Sequence, residues 1–569
     1  MSSSSDRSTR LAVQARLARL ARPARFLLAA GTALLLTTPP PASLHAVAPR
    51  AVSPAASAGA ASAPAASPMQ EGTRKRRRAS PATRRRGARG DAATPQRTAA
   101  RRAAAAPAAP VSRATSPRSA AALAADLGAM LSRPDGGQWG AIVVSLSRGD
   151  TLFARNADVP MLPASTLKMY TAALALDRLG PDWRFRTEVL RDGALEPDGT
   201  LRGNLILRGD GDPAFSRRFH PGGYDAPVQA LAERVAAAGV RRITGSVVGD
   251  ASAFEARTIP EGWLTRYAGS GYAAPFGALS INENIVVVAI HPDGRVLLEP
   301  ATTGIRVENT VRVTGGSGVA VRVHRAVDGH VVARGTIGSR APVRKLQLVV
   351  DDPARFTAGA LHAALVARGI TVDGGLTLGR APAQAARVAA LESPPLATLV
   401  AVMNRESINH YAELLLRNAV RGPERRGEGS AAAANALLQR WLASEAGAAP
   451  TSVGLHDGSG LSVLDRVTPR SMAQLLSHAH AAPWGPAFHA SLPVAGESEL
   501  LRHRMRGTPA AGNLHAKTGT TNDVVGLGGY VTAENGEILA FSFLFNGRSR
   551  WNARATIDAM GETLAGFAR

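Results

Sequence analysis

Residues 163–181 read PASTLKMYTAALALDRLGP, and the rest of the fold can be read outward from them. The apolar positions after Ser165 recur at helical spacing, and Gly180-Pro181 supplies a stop, so Ser165–Leu179 is expected to be a helix. Ser165 and Lys168 are three residues apart, which puts both side chains on one face of that helix, within reach of each other. Lysine is scarce in this chain. Of 67 basic residues only Lys75, Lys168, Lys345 and Lys517 are lysine, and the other 63 are arginine. A guanidinium stays protonated, whereas a lysine amine desolvated near another cation can lose its proton and act as a base toward a serine hydroxyl. The start of the helix also leaves backbone N–H groups free to hold a developing oxyanion. Taken alone, Ser-x-x-Lys is better explained by a helix cap and a surface lysine.

Upstream, WGAIVVSLSRGD and TLFARNAD flank a Gly-Asp turn and read as a β-hairpin. From about residue 190 to 350 short β-like runs dominate, among them LRGNLILRG, NIVVVAIH and KLQLVV, before helical character returns with FTAGALHAALVARG. Near the C-terminus NLHAKTGTT, VVGLGGYVTA and ILAFSFLFNG read as three strands followed by a last helix. Helices, a β-rich interlude, then helices and an antiparallel sheet describe an α/β (α+β) chain in which a discontinuous domain hosts an insertion. The expected partition is 119–190 with 386–569 as the host and 191–385 as inserted β-rich domains, two of them nested.

Two further motifs carry chemistry. Lys517-Thr518-Gly519-Thr520 falls on a strand edge, where Gly519 is expected to let a ligand backbone approach and the lysine and threonine side chains to meet a terminal carboxylate. Ser407-Ile408-Asn409 lies between two helical runs. There the serine can relay a proton and the asparagine can orient a peptide group, or either can merely cap a helix.

Ser-x-x-Lys, Ser-x-Asn and Lys-Thr-Gly in that order resemble the motif set of β-lactamases and penicillin-binding proteins. Lys168 and Ser407 are separated by 239 residues, and Ser407 and Lys517 by 110. With that spacing, and with PASTLKMYTAALAL, LILRGDGDP, VVGDASAF, APFGALSINEN, MNRESINHYAELLLR, HDGSGLS and AKTGTTNDVVGLGGYV, the chain resembles the class C low-molecular-mass penicillin-binding proteins. These are the D-alanyl-D-alanine carboxypeptidase/endopeptidases of peptidase family S13, and the resemblance runs over roughly residues 120–569. It implies a transpeptidase-like domain, an antiparallel sheet flanked by helices, with β-rich domains inserted between the first and second motifs.

The resemblance further implies acyl transfer on peptidoglycan stem peptides, with β-lactam antibiotics as covalent inhibitors and with neither metal nor cofactor. Ser165 is then the nucleophile and Lys168 its base, Ser407 relays the proton, Asn409 aligns the peptide, and Lys517, Thr518 and Thr520 bind the carboxylate. The backbone N–H groups of Ser165 and Thr520 form the oxyanion site. Asp250 matches a position that faces the substrate's side-chain amine; the other expectation for it is a strand-end aspartate in a turn. Val463 stands where many relatives carry an arginine after the Asp-Gly-Ser-Gly-Leu-Ser run. A serine β-lactamase would share the acylation groups, but no Glu-x-x-Leu-Asn segment occurs. A non-catalytic envelope-binding protein would not be expected to keep its lysines in so arginine-biased a chain. No Gly-x-Ser-x-Gly elbow supports a Ser-His-Asp hydrolase.

The 569 residues carry a formal net charge of +24 and no cysteine, which removes disulfides and thiolate chemistry. Eighteen of those charges fall within residues 1–118. Six arginines before the apolar run FLLAAGTALLL (26–36) form a secretory signal, 1–46, too short to span a bilayer. Residues 47–118, rich in Ala, Pro and Arg, are expected to be a disordered basic linker suited to an anionic envelope polymer. The expected location is therefore outside the cytoplasm, in the periplasm or cell envelope, and a nucleic-acid partner conflicts with the export signal.

Overall fold

The computed structural model describes residues 112–132 and 136–569; the expected signal and nearly all of the expected linker lie outside the described residues. The described chain begins with α1 (Ala120–Leu131), which Ser119 caps by accepting from the Ala122 N–H. The hairpin β1 (Gly137–Ser145) and β2 (Thr151–Arg155) follows. A short 3-10 turn, Ala164–Leu167, then leads directly into α2 (Lys168–Leu179), which ends at Gly180 with φ of 85°.

The insertion follows in chain order as β3 (Arg186–Arg191), β4 (Leu205–Arg208), α3 (Ala226–Ala237) and β5 (Val247–Asp250). Nested within it are β6 (Ile285–Ile290), β7 (Val296–Glu299), β8 (Val307–Thr314), β9 (Val319–Arg325), β10 (Val331–Gly338) and β11 (Arg344–Val349). It closes with α4 (Pro353–Ala367), β12 (Leu376–Leu378) and β13 (Ala386–Glu392). The helices α5 (Leu396–Glu406), α6 (Asn409–Arg421), α7 (Ala431–Glu445), α8 (Pro469–Ala481) and α9 (Gly485–Ser491) return the chain to the host. The strands β14 (His515–Thr520), β15 (Val524–Thr532) and β16 (Ile538–Gly547) and the helix α10 (Arg550–Ala565) complete it.

The host sheet runs β2-β1-β16-β15-β14 and every neighbouring pair is antiparallel. Strands covered on both faces read as continuous apolar runs rather than alternating ones, as ILAFSFLF does. Phe541, Phe543 and Phe545 enter the layer shared with Leu123, Leu127 and Ile557. Ala540 and Leu544 on the same strand face the opposite layer with Leu174, Leu415 and Met472. Each fully buried phenylalanine contributes roughly 1.5–3 kcal/mol by leaving water.

The structure differs from the sequence expectations at three places. Residues 112–118 pack onto the host: Ser112 is buried with its hydroxyl 3.2 Å from that of Thr556, and Thr115 N–H donates to Thr563. Small polar residues hydrogen-bonded to α10 escape the solvation that composition alone predicts for them. The partition at 190/191 and 385/386 also shifts, because β3 and β13 pair with each other inside the insertion's own sheet, ordered β12-β5-β4-β3-β13. The insertion, expected to be β-rich with a helical run at FTAGALHAALVARG, contains that run as α4 and also the unexpected α3, and their Leu231, Val235, Phe356 and Leu361 fill its core. Its nested part consists of two three-stranded sheets, β7-β6-β11 and β8-β10-β9.

Candidate active site

Ser165 lies in the 3-10 turn that feeds α2, and the turn is tightly constrained. Ala164 adopts φ of +46°, a left-handed conformation that a residue with a Cβ takes only where its surroundings enforce it. Two glycines let neighbours close on this turn. A Cβ on Gly460 would stand 1.9 Å from the Ala164 carbonyl oxygen, and one on Gly519 would stand 2.7 Å from that of Pro163. Gly519 therefore seats β14 against the serine turn.

Lys168 is completely buried, and its Nζ donates to Ser165 Oγ (3.0 Å), Asn409 Oδ1 (2.6 Å) and the Ser459 carbonyl oxygen (2.8 Å). Burial pushes its pKa down to about 8, against the pull of Asp457, Glu413 and Asp465 in the other direction. Once neutral, the amine keeps two N–H groups for the asparagine and the carbonyl, and its lone pair faces the serine hydroxyl.

Ser407 ends α5 in the left-handed region, φ +59°, at a position where glycine is usual. Its hydroxyl accepts from Lys517 Nζ at 2.9 Å, and the same amine donates to the Thr518 carbonyl oxygen at 2.9 Å. Lys517 is fully buried, and burial with the nearby Lys168 holds its pKa well below the ordinary lysine value. The Ser-x-Asn and Lys-Thr-Gly motifs are thus joined side chain to side chain, and Asn409 joins them to the Ser-x-x-Lys pair.

Hydrogen bonding along β14 fixes which N–H groups face the cleft. Ala516 N–H donates away from β15, to Pro493 O, while Thr521 N–H donates back to Val524 O. The period of two then turns the Thr520 N–H outward, on the same side as that of Ala516. Thr520 is exposed and lines a cleft of about 340 Å³ with Ser165, Ser407, Asn409, Tyr267 and Tyr272. Thr518 is only 9% exposed.

Asp250 is not brought into this cleft. It is buried at the end of β5, where Oδ1 accepts from Ser252 N–H and Oδ2 from Ala381 N–H. That is the turn-capping alternative; a strand-end aspartate satisfies backbone donors that would otherwise be orphaned.

Sequence reasoning assigned no role to Asp457, around which the Asp-Gly-Ser-Gly turn is organised. Its carboxylate accepts from the N–H groups of Ser459, Gly460, Leu461 and Ser462, from the Ser459 hydroxyl, and from Trp263 Nε1 at 2.7 Å. The turn so held aims the Ser459 carbonyl at Lys168. Aspartate before Gly-Ser-Gly is the legible signal, since such side chains bond the backbone two residues on. Glu413, one turn along α6 from Asn409, accepts from Gly458 N–H and pairs with the buried Arg417. Burial, reinforced by Asp457, pushes its carboxyl up to about 7. Trp263, Tyr267 and Tyr272 all belong to the insertion, and Tyr267 and Tyr272 give the cleft a wall from a segment far in sequence from the motifs it meets.

Residues 123–566 match the model of the D-Ala-D-Ala carboxypeptidase 3 (S13) family. The chain belongs to that family. It is 34% identical over 470 residues to the D-alanyl-D-alanine carboxypeptidase of Actinomadura sp. (strain R39), covering 78% of this chain and 84% of that protein. With the D-alanyl-D-alanine carboxypeptidase DacB of Haemophilus influenzae it shares 27% identity over 432 residues, 73% of this chain and 87% of the other. The fold matches the crystal structure of penicillin binding protein 4 from Haemophilus influenzae with a TM-score of 0.64 at 24% identity, over 78% of this chain and 98% of that one. As a member of the S13 family the chain is a hydrolase, a serine-type D-Ala-D-Ala carboxypeptidase.

Proposed function

We propose that Ser165 trims peptidoglycan stem peptides through an acyl-enzyme. Neutral Lys168 takes the Ser165 proton as Oγ attacks the carbonyl carbon of the penultimate D-alanine. The Ser165 and Thr520 N–H groups receive the oxyanion. Collapse breaks the peptide bond, and the leaving amine of the terminal residue takes its proton by way of the Ser407 hydroxyl, which Lys517 holds in place. Water then hydrolyses the ester and restores Ser165. The same chemistry cleaves a D-alanyl cross-bridge when the leaving amine belongs to a neighbouring stem.

The observation that carries this reading is the fully buried Lys168 amine, 3.0 Å from Ser165 Oγ and held by Asn409 and Ser459 O. A lysine so placed has its pKa brought down toward working pH, which is what a general base requires. β-Lactams, which present a strained amide to the same serine, are acylating inhibitors in this account.

Two parts of the proposal concern the rest of the chain. The signal at 1–46 exports the protein to the periplasm or cell envelope; among the described residues no helix is long and apolar enough to cross a membrane. The arginine-rich stretch that follows binds an anionic envelope polymer by charge. The test of the central reading is digestion of purified muropeptides followed by mass spectrometry. Loss of one D-alanine from pentapeptide stems, or splitting of cross-linked dimers, is expected from the wild-type protein and not from Ser165→Ala. Equal products from both would overturn it.

A further inference from the structure

A peptide that ends in D-alanine brings a carboxylate into the cleft, and that anion needs a counter-charge it can reach. The two motif lysines are poorly placed to supply one at the surface. Lys168 and Lys517 are both 0% exposed, and each already donates to protein oxygens, Lys168 to three and Lys517 to two. Thr518 is 9% exposed and is not among the residues that line the cleft, and the wall contributed by the insertion presents the aromatic Tyr267 and Tyr272.

One charged side chain lines the cleft beside Thr520 and Thr521, and it is Arg550. This residue opens α10 immediately after the last strand of the host sheet. It is partly exposed, its guanidinium carbon lies 5.2 Å from the Trp551 ring centroid, and among the described residues no carboxylate forms an ion pair with it. Two other arginines of the host are paired, Arg569 with Asp150 and Glu537 and Arg504 with Asp558. A planar guanidinium presents paired N–H donors that match a carboxylate.

We propose that Arg550 is a specificity-determining residue that binds the free C-terminal carboxylate of the substrate, with the Thr520 hydroxyl as its neutral companion. Together they select chains ending in a free acid. The inference rests on the carboxypeptidase reading and adds to it the group that reads the terminus. Buried Lys517 then serves Ser407 and the electrostatics of Lys168, and the charge the carboxylate meets at the cleft surface belongs to α10.

The experiment compares D-alanine release from a diacylated L-Lys-D-Ala-D-Ala peptide with D-alaninamide release from its C-terminal amide. Wild-type protein is expected to prefer the acid by roughly 10- to 100-fold in kcat/KM, the range for a charge-assisted pair. Arg550→Gln should lose most of that preference, mainly through KM for the acid and far less for the amide. Arg550→Lys should keep part of it, and Arg550→Glu should favour the amide. Raising salt should weaken the acid's KM in the wild type and leave Arg550→Gln nearly unmoved. Unchanged discrimination in Arg550→Gln, or equal losses on both peptides in Arg550→Gln and Arg550→Lys, would overturn the proposal while leaving the acyl-enzyme reading intact. Absence of release from either peptide by the wild type would overturn that reading, and this proposal with it.

Discussion

Asn409 grips Lys168 with one end of its amide and the inserted loop with the other. Its Oδ1 accepts from Lys168 Nζ at 2.6 Å, and its Nδ2 donates to the Tyr272 carbonyl oxygen at 2.8 Å. The insertion is thereby tied directly to the amine that faces Ser165, so a change at Asn409 is felt on both sides. Asn409→Asp places a carboxylate against Lys168 and favours its protonated form. The rising limb of the acylation rate against pH should move to higher pH in that variant, which stopped-flow labelling with a chromogenic cephalosporin would measure. An unmoved limb would show that Asn409 does not set the protonation of Lys168.

Lys168 with a pKa near 8 is largely protonated at pH 6 and largely neutral at pH 9. Since the base works only when neutral, penicillin acylation should rise about tenfold per pH unit below that value and level off above it. Lys168→Arg keeps the charge and cannot lose the proton. Its acylation rate should fall by about 10²–10⁴-fold with folding unchanged by circular dichroism.

Much of this site is legible in the sequence because each motif is local. Ser165 and Lys168 meet through helical spacing, and the three C-terminal strands are marked by apolar runs and turns. The joining of Ser407 to Lys517, which are 110 residues apart, is legible only through the resemblance of the motif set. The contact of Gly519 with Pro163 O was not legible, because a strand glycine signals a close approach without naming the approaching group. The insertion's helix α3 was passed over among the surrounding β-runs, and its boundary strands β3 and β13 were assigned to the host because pairing across some 200 residues leaves no local trace. Asp457 was passed over as part of a turn, although five of its partners lie within five residues of it.

Gly519→Ala introduces a Cβ 2.7 Å from Pro163 O and 3.2 Å from Thr166 N, both backbone atoms that cannot rotate away. β14 and the serine turn must separate. The variant should lose about 1–3 kcal/mol of stability by denaturant unfolding, and it should also acylate at least tenfold more slowly. Wild-type acylation in this variant would mean that the packing of β14 on the turn is not what positions Ser165.

Trp263→Phe removes the indole donor to Asp457 while keeping an aromatic ring in the loop. A lost hydrogen bond to a charged acceptor should cost about 1.5–3 kcal/mol, read from urea unfolding. Acylation should slow as well, because the Asp457 turn carries the Ser459 carbonyl that holds Lys168. Unchanged stability and rate would separate the loop from the turn.

The most direct measurement is the intact mass of the protein after brief incubation with benzylpenicillin, beside Ser165→Ala. The account predicts one penicilloyl adduct on the wild type, mapped to the peptide containing Ser165, and none on the variant. An adduct of equal yield on Ser165→Ala, or wild-type protein that consumes no penicillin and gains no mass, would contradict it.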